Sequence, residues 1–243
     1  MTAQLRSELR KLRTTRTAAT LLLAAVALTA LGTSIEAWSS SLAELATEEQ
    51  QRMVLGAGAV GGFFATLAGL LVVTSEFRYG TIRPTLLFQP RRRVVLIAKL
   101  GASALVGVLF AAVCVALSLG AGLAMLAVRD VGVAVSTGEL IALVFGTTIA
   151  GALTAMLGVA IGTLIRNQVG AIVAVVAYAF LLDATLFAAL PSVGRFLPGK
   201  AGDALAGSSV EHLLTPAVGG AVLVAWTAAF LVAASLRNDR TDI

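Results

Sequence analysis

The chain has 243 residues, 58% of them hydrophobic and 13% charged, with a mean hydropathy of +0.94. About a quarter of an ordinary soluble domain is charged, so this composition excludes a free globule, a disordered tail, a collagen-like fibre and a disulfide-stapled module. The net charge of +5 and pI near 10.1 would fit a nucleic-acid partner only if the cations gathered on one soluble face.

The first predicted element is an interfacial helix over 1–16. Leu5, Leu9 and Leu12 follow at spacings of four and three, which stacks them on one helical face, with Arg10 and Arg13 among the cations on the rest. Such a helix lies along a membrane surface, leucines at the acyl boundary and cations among lipid headgroups. A plain topology signal is the alternative. Six apolar stretches then reach the length of about 20 residues that a crossing requires: 17–35, 53–73, 100–128, 140–165, 169–190 and 216–236. The first reads as a retained anchor, because its small-residue site Ala25-Val26-Ala27 falls in mid-run. The connections are too short for a soluble domain, so 1–243 is a single transmembrane domain.

Cytoplasmic loops carry the Lys/Arg excess. With both termini inside, segments 1–16, 74–99, 166–168 and 237–243 hold fourteen of the eighteen cations, while Arg52, Arg129, Arg195 and Lys200 lie outside among eight acids. The expectation is a multi-pass protein of a bacterial plasma membrane with cytoplasmic N- and C-termini. Its cations then face lipid and protein, and no nucleic acid is needed to explain them.

The largest cytoplasmic connection, 75–99, has internal punctuation. Gly80 can end the preceding helix in the left-handed conformation, Thr81 can cap a new one, Pro84 fits its first turn and Pro90 stops it. The result is a short helix of about two turns with Leu86, Leu87 and Phe88 at a water-facing tip, followed by Arg91-Arg92-Arg93. A solvated basic loop would explain the charges. The apolar tip fits a docking surface for another protein better.

The series Glu76, Gly80-Thr81, Arg83, Pro90, Arg91 and Lys99 between spans two and three resembles the coupling-helix region of type-2 ABC exporter permeases. Segment 4–16 is similar to that family's interfacial helix, Arg166-Asn167-Gln168 to its tight turn between spans four and five, and Leu197-Pro198 to a Leu-Pro before its last span. The resemblance implies an all-α six-helix permease with no ATPase of its own. Two such domains, copies or paralogues, would pair with two cytosolic ABC ATPase subunits, which would hold the ATP and magnesium. It also implies that the connection 191–215, with five ionisable groups in 25 residues, forms a re-entrant segment that helps close the outer end.

Asp183 is the one ionisable residue inside a predicted span. Intramembrane acids default to function, and Asp183, with Leu197 and Pro198, is a candidate for the translocation path or for an outer gate through Arg195; Asp183 could also favour a cationic solute. A structural acid hydrogen-bonded in the bundle is the alternative. No catalytic constellation or metal cluster is expected. Gly194–Ala201 nearly spells a phosphate loop but ends in Ala201 where a hydroxyl is needed, and His212 beside Ser208-Ser209 lacks an orienting partner. Cys114 is the single cysteine, so no internal disulfide can form. Gly58-xxx-Gly62 and Gly158-xxx-Gly162 are expected to pack helices within the bundle rather than between copies. An autonomous secondary carrier or channel is the competing function, disfavoured by spans that no proline breaks.

Overall fold

Polar caps start four of the helices, and apolar length sustains the long ones. The computed structural model describes residues 6–8, 10, 16–82, 84, 87 and 91–239. Helix α1 runs over Arg16–Ser39, the short α2 over Leu42–Leu45, and α3 over Glu48–Gly56, which a 3₁₀ turn at Ala57–Ala59 joins to α4, Val60–Arg78. Then come α5 (Arg92–Val128), α6 (Thr137–Ile165) and α7 (Gln168–Ala177). A π-helical turn, Tyr178–Asp183, links α7 to α8 (Ala184–Ala189). The short α9 (Pro191–Gly194) and α10 (Pro198–Leu205) precede α11 (Pro216–Asp239). Ser41 with Glu44 and Ser136 with Glu139 form reciprocal capping boxes at the starts of α2 and α6, and Thr47 and Asn167 cap α3 and α7. The Ser41 backbone N–H and hydroxyl hold the Glu44 carboxyl below its usual range.

Six helical stretches are long and apolar enough to cross a membrane, and no strand occurs among the described residues. The protein is an all-helical multi-pass membrane protein. The helices outrun their apolar stretches: the second begins at Glu48 rather than 53, and the third at Arg92 rather than 100. Polar residues with good helix propensity continue a helix into water once the apolar part has nucleated it. Two spans also depart from uniform α geometry, at the 3₁₀ turn in the second and the π turn in the fifth. The absence of internal prolines therefore did not mean regular spans, because glycine-rich packing and side-chain contacts bend a helix without one.

The second span is the axis of the bundle, with α5 and α6 packed along it. Helix α1 lies against α5 through a stripe of small side chains, Ala25, Thr29, Thr33 and Ala37, spaced by four. Helix α7 packs on α4, while α11 packs on α6 and α10. The Gly158-xxx-Gly162 pair turns inward: a Cβ on Gly158 would strike the Thr66 carbonyl of α4, and one on Gly162 would sit 2.8 Å from the Leu70 carbonyl oxygen. Gly58 likewise faces the α5 backbone at Val115, whereas Gly62 has ordinary room. Small residues thus act within the bundle.

Glu8, Glu76, Arg78, Lys99, Leu164, Gln168 and Arg237 lie at one end, here called proximal, joined by Lys99–Glu8, Lys99–Glu76, Arg78–Gln168 and Arg237–Leu164 contacts. The opposite, distal end is organised around Gln51, which is fully buried. Its Nε2 donates to the Leu45 and Gly132 carbonyls at 2.9 and 2.8 Å, and its Oε1 accepts from the Ala134 N–H at 2.7 Å. Arg129 donates to the Ala37 and Ser40 carbonyls at the end of α1, and Arg52 pairs with Glu139. Replacing Gln51 by Leu strands several buried backbone groups. The variant should lose about 3 kcal/mol of stability, read as a lower unfolding midpoint in detergent.

Candidate functional site

Two constellations stand apart from the packing. The first is at the proximal junction. Helix α4 ends at Gly80, whose φ of +69° is the left-handed cap conformation, and the Thr81 N–H closes onto the Glu76 carbonyl at 3.0 Å. Beyond it Ile82, Pro84 and Leu87 are helical, with Leu87 83% exposed, and the chain re-enters a helix after Arg91, which is also exposed. Arg83, Leu86, Phe88 and Pro90 lie outside the described residues, as do Leu5, Leu9, Leu12 and Arg13. Arg10 is helical and exposed.

Beneath this segment the Lys99 ammonium sits between two carboxylates, 2.8 Å from Glu76 Oε1 and 3.0 Å from Glu8 Oε2. All three side chains are buried. Glu76 is therefore no surface contact. It joins the end of α4 to the start of α5, and Glu8 ties the N-terminal segment to both. The Glu8 link was missed by sequence reasoning, since a partner 91 residues away leaves no local signal. At the same end Arg166 takes a φ of +57° to stop α6, and the Asn167 side chain accepts from the Gly170 N–H at 2.8 Å to start α7. Residues 166–168 thus make the tight turn expected of them.

The second constellation is a cavity of about 690 Å³ bounded by α4, α6, α7 with the π turn, α10 and α11. The expected trio Asp183, Leu197 and Pro198 all line it. The π turn explains how Asp183 gets there: its wider, i to i+5 winding sets Tyr178 and Asp183 on one side, and the Tyr178 hydroxyl donates to Asp183 Oδ1 at 2.8 Å. The cation beside Asp183 is Lys200, 3.8 Å from Oδ2, and not Arg195, whose guanidinium stacks on Phe196. Arg195 lies at the end of α9, while Lys200 rides the first turn of α10, one residue from Gly199, whose backbone abuts the Asp183 carboxylate.

Lys200 also pairs with Asp203 at 2.9 Å. Burial alone would lower the Lys200 pKa, but the Asp203 and then the Asp183 carboxylate outweigh it and hold the ammonium above the ordinary lysine range. The Trp226 indole N–H donates to the Phe196 carbonyl at 2.8 Å, fastening α11 to the segment before α10. Tyr178, Lys200, Asp203 and Trp226 were not singled out from sequence. A hydroxyl-bearing ring five residues from the one in-span acid was the available signal for Tyr178, but only a π turn makes that spacing meaningful.

The remaining sequence candidates separate cleanly. His212 is exposed, with Glu211 as its nearest acid at 4.0 Å. Gly194–Ala201 spans the end of α9 and the start of α10, with no strand before it. No group of three metal-ligating side chains occurs among the described residues. No family model matches the chain, and no curated protein matches it either.

Proposed function

We propose that this chain is the permease subunit of an ATP-driven exporter of the type-2 ABC class, forming the translocation path as a dimer with a second copy or a paralogue. The observation that carries the reading is the proximal junction. The apolar Leu87 is exposed between two spans, and the roots of those spans are locked together by a buried Glu76–Lys99–Glu8 cluster, which supports reading Leu87 as a water-facing tip. A tip so mounted transmits a push from a partner into α4 and α5 instead of yielding locally. In this reading segment 75–99 is the coupling region, with Gly80, Thr81, Leu87 and Arg91 around the contact and Glu76 holding it in place. The partner is a pair of cytosolic ABC ATPases that bind ATP and magnesium, and the proximal end with both termini is cytoplasmic.

The cavity then serves as part of the path. Helices α9 and α10 act as the re-entrant segment at the outer end, a role supported by the burial of Pro198, Ala201 and Ala204 against α6 and α11. The charge bias supports the orientation and a bacterial plasma membrane.

The test is reconstitution with the ABC ATPase encoded beside this chain. Nucleotide hydrolysis should be stimulated by the chain, and Leu87→Glu should abolish the stimulation while leaving the permease monodisperse. Deleting 80–90 should do the same. Solute transport by the isolated chain without nucleotide would instead identify an autonomous carrier.

A further inference from the structure

The lining of the cavity has a definite sign. Its acidic side chains are Asp183 and Asp203, and among the described residues no Lys, Arg or His contributes to the wall. Lys200 lies against both carboxyl groups without lining the space, so the charge-bearing side chains that face the largely apolar interior are acids. Around it stand the rings of Phe63, Tyr178, Trp226 and Phe230. Aromatic faces attract cations at ring distances of up to about 6 Å, and they repel anions for the same reason. Leu157 and Ile161 supply aliphatic wall. The volume of about 690 Å³ falls within the range of about 300–1,000 Å³ in which drug-sized molecules bind.

We infer that the cavity binds an amphipathic organic cation carrying one positive charge, its apolar body among Phe63, Leu157 and Ile161 and its charged centre toward Asp183 and Asp203. An inorganic cation would leave most of the volume and the aromatic wall unused. An anionic amphiphile would meet two carboxylates and ring faces of like sign. A wholly neutral molecule fits the apolar wall but leaves two acids sharing a single ammonium as their only cation. Tyr178 orients the site: its hydroxyl donates to Asp183 Oδ1, while Oδ2 lies 3.8 Å from the Lys200 ammonium. That this ligand is the cargo rests on the exporter reading, whereas its binding does not.

The experiment uses the full chain in lipid nanodiscs with radiolabelled tetraphenylphosphonium, measured against empty nanodiscs. Tetraphenylborate, of the same shape and opposite charge, serves as competitor. Saturable binding is expected, with tetraphenylborate a poor competitor. Asp203→Asn, at a part-exposed position, should weaken binding about tenfold, the effect of one charge pair at partial burial. Asp183→Asn should weaken it at least as much, and Trp226→Leu by a few-fold. If Asp183→Asn fails to fold, Asp203→Asn decides. No saturable binding, equal competition by tetraphenylborate, or wild-type affinity in Asp203→Asn would overturn the inference. Since the assay contains no nucleotide and no ATPase, binding without ATP-driven transport would sink the exporter reading alone. ATPase coupling without binding would sink only the ligand class.

Discussion

Replacing Lys99 by Met should destabilise the protein by about 3–5 kcal/mol, the cost of stripping a buried charge cluster of one sign. The variant leaves Glu8 and Glu76 buried without the ammonium 3 Å or less from each. Methionine nearly conserves the volume, so little of the loss comes from a cavity. Carboxylates repelling one another across the vacated position will push the N-terminal segment away from α5, and proteolysis near residues 6–10 should accelerate. Neutralising the acids as well, in a triple variant with Glu8→Gln and Glu76→Gln, should restore most of the stability. A cluster replaced whole by neutral groups of similar shape is often tolerated where a cluster broken in half is not. A double-mutant cycle between Glu8→Gln and Lys99→Met gives the pairwise term, expected at about 1–3 kcal/mol for groups in direct contact. A cost below about 1 kcal/mol for Lys99→Met would show that the junction is held by packing and not by charge.

The second large effect is expected at Gly158. A Cβ there would land on the Thr66 carbonyl and lie 2.9 Å from the Leu70 nitrogen, both backbone atoms of α4. Gly69 presents the reciprocal constraint, since its own Cβ would strike the Ala155 carbonyl of α6. Neither helix can give way through a flexible side-chain end, so the axes must separate. Gly158→Val should lose about 3 kcal/mol, the upper part of the ordinary overpacking range, measured by chemical unfolding in detergent. Because Thr66, Thr154 and Leu157 line the cavity on the same two helices, the wedge should also impair ligand binding there. Gly120→Ala is the matched control, having nothing within 4 Å of its added carbon. It should be neutral, or stabilising by up to about 1 kcal/mol through helix propensity.

Legibility from sequence follows the range of each interaction. Apolar runs of about 20 residues have one physical reading in a lipid environment, so all six spans were readable. Caps mark some starts, as at Ser136 with Glu139 and Asn167 before α7, but the apolar runs alone put those starts at 140 and 169. The ends were misplaced where polar residues prolong a helix past its apolar part, as from Glu48 to Arg52 and from Arg92 to Lys99. Gly80 was readable because only glycine sits easily at positive φ. Asp183, Leu197 and Pro198 were grouped on loose grounds, and the fold does bring them to one wall. The cation facing Asp183 was not readable: Arg195 and Lys200 are both near in sequence, and the start of α10 at Pro198 decides between them. The π turn escapes every periodicity argument, because six residues cannot announce a change of winding that their neighbours impose.

The length of α5 has one more consequence. Its 37 residues make a rod of about 55 Å at 1.5 Å per residue, and a tilt of about 20° still leaves about 52 Å along the membrane normal. A bilayer with its headgroups is about 40–45 Å thick. At least one full turn of α5 must therefore stand clear of the lipid, and the cluster around Lys99 places that overhang at the proximal end. No residue of α5 lines the cavity, yet α5 packs on both α4 and α6, which do. The rod is a strut that bypasses the cavity. A displacement applied to its free end reaches two cavity walls through direct side-chain contact, without first deforming the space between them.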